Sequence, residues 1–423
     1  MKPRKPSSDG FIYCYGNLYS LLFYWGLVTF RVRTQSDGGA ASSPVSVLYA
    51  VCVRCFAVCG YLGSVLIKLE DERMAAAMIG HLTPVVKVII MWECLSCSIT
   101  YVENFLTLDV QRRRHVKLLA NMQGFDLAIS EEFPSVRWNY QRTRSKYWYG
   151  TVIVTICFFS FSLSLILDMA RCTCGLSSTL LMAGTYILLT SSLGLVGFVH
   201  IAIMDFVRLR LRLIQKLLHQ EYEGSTGSDR PQTTVHRRIA KLFEFTKRCS
   251  HLLAELNAVF GFAAAAGFFY EFSLMTCFVY VICQKVLGSE AWDLEYTFML
   301  LHVTLHSYKL IITSTYGYLL QREKRNCLRL LGLYSQHFPQ QPLARSQVED
   351  FQHWRMHNRQ AALIGSSIPL SVSTIFLVYN GMANYVIILV QLLFQQQQIK
   401  ERQRELGRDV DIVGPMGPRT HLD

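Results

Sequence analysis

Residues 363–394 read LIGSSIPLSVSTIFLVYNGMANYVIILVQLLF, and no charged side chain occurs from Leu363 to Gln398. A hydrocarbon core of ~30 Å is crossed by ~20 apolar residues in a helix, so this run is long enough to span a bilayer. Backbone in lipid must satisfy its own hydrogen bonds, which makes the run helical. Working back along the chain, six more stretches pass the same test, near 44–66, 82–105, 148–168, 178–206, 258–285 and 294–320. The predicted fold class is all-α: an integral membrane protein with seven transmembrane helices. Composition agrees. Of 423 residues, 51% are hydrophobic and 17% charged, with mean hydropathy +0.24, where a soluble chain carries about a quarter charged residues.

The charges set the orientation. Thirty Lys and Arg lie in 1–43 and in the 106–147, 207–257 and 321–362 loops, against nine in the other loops and the tail. The positive-inside rule places the basic side in the cytoplasm, so the amino terminus is predicted cytoplasmic and the carboxyl terminus extracellular. The same rule accounts for the formal charge of +12 without nucleic acid, and membrane lipid is the expected surrounding. The three outer loops carry seven acids, including Glu70, Asp71, Glu290 and Asp293, against four bases, a balance that favours cations near an outer mouth.

Three regions follow. Residues 1–43 form a cytoplasmic amino-terminal segment, in which 11–30 (FIYCYGNLYSLLFYWGLVTF) reads as a helix lying in the inner interface rather than a cleaved signal. Residues 44–394 form the transmembrane domain; helical spacing at 207–219 and 236–256 extends the fourth and fifth spans below the membrane, with a break at 224–234. Residues 395–423 form an extracellular tail. Cys94 and Cys97 make a mid-span CxxC without a second pair, which reads as packing rather than metal or redox chemistry. Cys172 and Cys174 fall in a short outer loop, where a disulfide to an outer residue such as Cys283 is an option.

A charge inside the bilayer costs upward of ~2.5 kcal/mol unless paired or wetted. Arg54, Glu93, Glu271 and Lys309 lie near the middles of their spans. Their depths predict two pairs between consecutive helices, Arg54 with Glu93 and Glu271 with Lys309, either as structural salt bridges or as part of a wet ligand cavity or pore wall. His302, His306, Lys309, Thr313 and Tyr316 recur at spacings of four and three, which puts them on one face turned into the bundle. Trp92, Tyr186 and Tyr280, aromatics with a polar handle, join His302 and His306 as candidates to line a pocket for a small organic ligand. There is no HExxH, GxSxG or phosphate-binding glycine loop. Neither an enzyme nor a metal or other cofactor is expected.

In the last span, Asn384-Tyr385 is followed by five apolar residues, then Gln391-Leu392. This resembles the TYhhhhhQF signature (h, hydrophobic) closing the last helix of insect gustatory receptors, seven-helix chemoreceptor channels related to insect odorant receptors. Asn384 replaces Thr and Leu392 replaces Phe, while the Tyr-to-Gln spacing is kept. Tyr19–Arg31 is similar to the family's opening stretch, and the resemblance covers 11–394. It implies a ligand-gated, non-selective cation channel in the plasma membrane of sensory neurons. The subunit would assemble as a homo- or heterotetramer, with itself or with other gustatory receptors, and bind a small-molecule tastant in the outer half of helices two to six. It also implies that the last helices of four subunits line one pore, with Tyr385, Gln391 and Leu392 as pore and gate residues. Sugar-tuned members often carry an acid after the motif tyrosine; Val386 stands there in this chain, which points to bitter or other non-sugar tastants. The alternatives are an odorant-type channel, a G-protein-coupled receptor and a secondary transporter. The cytoplasmic amino terminus and the lack of D-R-Y or N-P-x-x-Y argue against the second. Prolines Pro84 and Pro369, sited near span ends, give no broken-helix signal for the third.

Overall fold

The computed structural model describes residues 9–32, 40–41, 43–70, 84–136, 138–171, 176–227, 232–287, 294–336, 346, 349–354, 361–365 and 367–412. Its main helices are α1 (Asp9–Tyr24), α2 (Pro44–Glu70), α3 (Pro84–Val110), α4 (Arg112–Glu132), α5 (Tyr140–Arg171), α6 (Leu176–Gly227), α7 (Gln232–Leu287), α8 (Leu294–Gln336) and α9 (Val372–Ile412). Two minimal antiparallel pairs complete it: β1 (Arg31–Val32) with β2 (Ala40–Ala41), and β3 (Leu363–Ile364) with β4 (Ile368–Pro369). The fold is all-α. By length and composition α2, α6, α7 and α9 each contain a stretch able to cross a membrane, and α3, α5 and α8 coincide with the other three predicted spans.

Helix α6 is the hub, packed against α2, α3, α5, α7 and α8. Its apolar stretch is 78% buried, against 6% for that of α9. Small hydroxyl residues make this possible. Thr190 and Ser192 bond back to the carbonyls of Tyr186 and Leu188 at 2.8 and 2.5 Å, so their hydroxyls are satisfied within the helix while neighbours approach closely.

Helices α6, α7 and α8 run far past their spans toward the basic side. There the cations are mostly paired. Arg210 grips Asp126 with two bonds (2.9 and 2.5 Å) and lies 3.6 Å over the Phe206 ring. Asp205 takes Lys146 and Arg208, and Arg212 pairs with Glu323. The Arg210–Asp126 pair is buried on both sides, and its two parallel bonds add strength and fixed geometry.

Helix α1 forms over most of the stretch 11–30 and is packed into the bundle. Cys14, Tyr15, Leu18, Tyr19, Leu22 and Phe23 form a buried helical stripe packed on α5 and α6. The expected break at 224–234 falls partly outside the described residues; helix is continuous to Gly227 and resumes at Gln232. Residues Cys172 and Cys174 lie outside the described residues, and Cys283 is a free thiol.

The seventh span starts later than its apolar run implies. Residues 361–365 and 367–370 carry the β3–β4 pair, with Gly365 at φ +62°, and the helix begins at Val372. Four residues clamp this hairpin. Asn257 of α7 donates to Ala361 O (2.7 Å) and accepts from Leu363 N (3.0 Å). Gly365 N donates to Gly261 O at 2.6 Å. Gly317 of α8 sits against Leu370, where a Cβ would come within 2.5 Å, and Gln321 donates to Leu370 O. At its other end α9 continues unbroken to Ile412, well into the region read as a tail.

Candidate functional site

The polar residues inside the bundle gather where α3, α6, α7 and α8 meet. Lys309 and His306, one helical turn apart on α8, both bond the Glu271 carboxylate on α7. Glu271 and His306 are buried, and the Lys309 side chain is 24% exposed. His302 stacks on His306 at 5.4 Å and on Phe278 at 4.8 Å. Tyr270 stands edge-on to His306 at 6.1 Å.

Glu93 of α3 belongs to the same cluster through other partners. Tyr186 of α6 donates its hydroxyl to Glu93 Oε1 at 2.9 Å, and the Tyr61 ring lies 5.7 Å from that of Tyr186. Tyr61 in turn donates to Cys94 Sγ at 3.2 Å, and Cys97 is fully buried. So the CxxC is wrapped in aromatic packing.

The predicted Arg54–Glu93 pair is not formed. Arg54 Nη1 reaches Asp109 Oδ2 at 2.5 Å, and its other donors bond Gly26 O (2.6 Å) and Leu27 O (3.5 Å). The guanidinium also covers the Phe105 ring at 4.4 Å. Helix α2 lies beside the segment after α1, and Arg54 sits level with the basic-side end of α3. Its charge is met by a carboxylate at that end, far along α3 from Glu93.

Of the pocket candidates, Tyr186, His302 and His306 join this cluster. Trp92 is 39% exposed and donates from Nε1 to Ser273 Oγ at 2.5 Å, bridging α3 to α7 at its rim. Tyr280 is buried in the core. On the side of the cluster toward the basic loops lies a cavity of about 40 Å³. Its wall includes Asn104, His200, Gly267, Glu271, Lys309 and Thr313. Sequence reading passed over Asn104 and His200 because it followed charges; polar residues inside an apolar span were the available signal.

The residues predicted to form pore and gate sit on α9. Tyr385 is 57% exposed and Leu392 49%, and Gln391 is exposed as well. Phe376, Leu377, Ile387 and Ile388 are also bare. Inward, Tyr385 meets the Phe272 ring of α7 edge-on at 5.8 Å. Thus α9 leans on α7 and α8 and leaves most of its uncharged surface open.

The profile of the family described as 7tm chemosensory receptor matches residues 16–396. Over 415 residues the chain is 67% identical to gustatory receptor 47b of Drosophila melanogaster, covering 98% of this chain and 99% of that protein. Gustatory receptor 57a of the same fly is 25% identical over 403 residues, covering 93% and 94% respectively. The fold is similar to that of the insect olfactory receptor OR5 of Machilis hrabei. The TM-score is 0.64 at 11% identity, over 89% of this chain and 97% of that one.

Proposed function

This chain belongs to the 7tm chemosensory receptor family, and from that premise we propose that it is a subunit of a ligand-gated, non-selective cation channel for non-sugar tastants. The family is one of receptors rather than enzymes. In this reading the subunit works in the plasma membrane of sensory neurons, with its amino terminus and basic loops cytoplasmic and the region after Gln395 outside. Four subunits, of this chain alone or mixed with other gustatory receptors, bring their last helices to a common axis.

The observation that carries the reading is α9. It is the least buried of the four helices above, at 6% of its apolar stretch, yet it is clamped at its start to α7 and α8. A helix that keeps Tyr, Asn and Gln on an open, uncharged surface suits a wet axis better than lipid. A ring of four Gln391 amides would be polar without charge, and a ring of four Leu392 side chains could close by dewetting. The ligand's place is the Glu93–Tyr186–His306 cluster between α3, α6, α7 and α8, where aromatic walls and fixed polar groups converge. Binding there opens the pore only in so far as the ligand prefers the open state.

The test is a ligand screen on cells expressing this chain, read as ionic current. A tastant-evoked current that does not distinguish sodium from potassium supports the channel. Protein at the cell surface that signals only through second messengers, or an amino-terminal epitope detected on intact cells, would overturn it.

A further inference from the structure

The cavity on the basic-loop side of Glu271 has a chemistry of its own. Asn104 and His200 line it, each 2% exposed. Asn104 Oδ1 and His200 Nε2 have no hydrogen-bond partner among the described residues. Neither side chain is idle by poor placement. The His200 ring is stacked on Phe260 at 5.6 Å and 8° between planes, so it cannot turn away without losing that contact. Asn104 lies eleven residues past Glu93, ~16 Å further along α3 at 1.5 Å per residue. It is therefore well removed from the Tyr186 hydroxyl and the aromatic cluster.

We infer that this cavity is a binding site for a small cluster of water molecules, linking Asn104 and His200 to the Glu271–Lys309 ion pair. Volume decides against larger occupants. About 40 Å³ holds roughly three or four waters, at ~10–15 Å³ each, whereas organic ligands need ~300 Å³ or more. Charge decides against ions. The Lys309 ammonium on the wall opposes a bare cation, and the Glu271 carboxylate opposes an anion. A dry cavity is opposed by two buried polar atoms that it would leave unsatisfied. Water donates to Asn104 Oδ1 and, with either tautomer, complements His200 Nε2. The same cluster solvates Lys309 from the side Glu271 does not cover. This gives the charged core of the receptor a polar floor instead of a hydrocarbon one.

Gly267 provides the handle. A Cβ there meets no heavy atom within 4 Å, so a side chain at 267 has open space around it. In radiolytic footprinting of the full-length protein in lipid nanodiscs, trapped water generates hydroxyl radicals in place. Phe260, only 1% exposed, should then be oxidised in the wild type. The signal should fall to background in Gly267→Val, while exposed Tyr149 stays labelled in both. An unlabelled Phe260 in the wild type beside labelled Tyr149, or unchanged labelling in a folded Gly267→Val, would overturn the site. If the valine variant does not fold, a cryo-electron microscopy map of the wild type decides. Discrete solvent peaks within bonding distance of Asn104 Oδ1 and His200 Nε2 support the cluster; a featureless cavity sinks it.

Discussion

The Tyr186 hydroxyl donates to Glu93 Oε1 at 2.9 Å and so ties α6, the most connected helix, to α3 in the middle of the bundle. Interhelical hydrogen bonds inside membranes are worth about 0.6 kcal/mol on average and up to ~1.7. Tyr186→Phe keeps the ring that packs on Tyr61 but strands a buried carboxylate. Glu93→Gln keeps an acceptor for the hydroxyl. Surface expression and thermal stability should drop in Tyr186→Phe by about 1 kcal/mol and change less in Glu93→Gln. Additive losses in the double variant would show that the two residues do not act as a pair.

The Arg54–Asp109 ion pair makes a second test. Asp109 is 30% exposed at its side chain and Arg54 only 9%, so removing the acid leaves a largely buried guanidinium. Asp109→Ala should cost roughly 1–3 kcal/mol, below the 3–5 of a fully buried pair. Exchanging the two residues should rescue only in part, because Asp at 54 cannot donate to the Gly26 and Leu27 carbonyls. Full rescue in a melting assay would mean those carbonyl bonds contribute nothing.

These two contacts also mark what the sequence could and could not convey. A bilayer demands length and apolarity, which are local properties, so the spans were legible and so was the inward face of α8 carrying His302, His306 and Lys309. Depth and partner choice are not local. Arg54 looked central in its apolar run, yet where α2 sits is set by packing beside residues 26–30. Glu93 found a tyrosine 93 positions away. The hairpin before α9 was hidden because LIGSSIPL is as apolar as the helix it precedes, although Gly365 and Pro369 were the punctuation to notice.

His115, at the start of α4 beyond the spans, predicts a pH response. Tyr19 Oη lies 2.8 Å from His115 Nε2, and the ring packs edge-on against Phe30 and Phe260. Burial pushes the imidazole down from 6.5 to about 3. The unfolded chain therefore binds a proton below pH 6.5 that the folded chain refuses until near 3. Stability falls as pH drops through that window, by up to ~1.4 kcal/mol per unit. Purified wild type should melt at lower temperature at pH 5.5 than at 7.5, and His115→Phe should flatten the slope. An unchanged slope would assign the response to other groups.

Gly261 should tolerate no side chain. A Cβ there would lie 2.6 Å from the carbonyl oxygen of Gly365, whose amide is itself bonded to Gly261 O. Gly261→Ala should lose about 1–3 kcal/mol by overpacking and loosen the hairpin that seats α9. The control is Gly184→Ala, where an added Cβ meets nothing within 4 Å. Equal melting temperatures for both variants would dismiss the clamp.

The last prediction concerns ion flow. Gln391 and Leu392 stand exposed on α9 in a stretch with no charge from Leu363 to Gln398, and the proposal puts them at the narrowest point of a four-subunit pore. An uncharged lining discriminates little among monovalent cations, whereas a ring of carboxylates holds divalent ions. Leu392→Ser should wet the constriction and raise the current without ligand. Gln391→Glu should add up to four charges and strengthen divalent block. Helix α9 makes these substitutions clean, because both side chains are exposed and neither belongs to the subunit's hydrophobic core. A loss of expression is therefore not the expected outcome, and the recordings read permeation itself. If both variants reach the surface and leave basal current and divalent block as in the wild type, α9 faces lipid and the pore lies elsewhere.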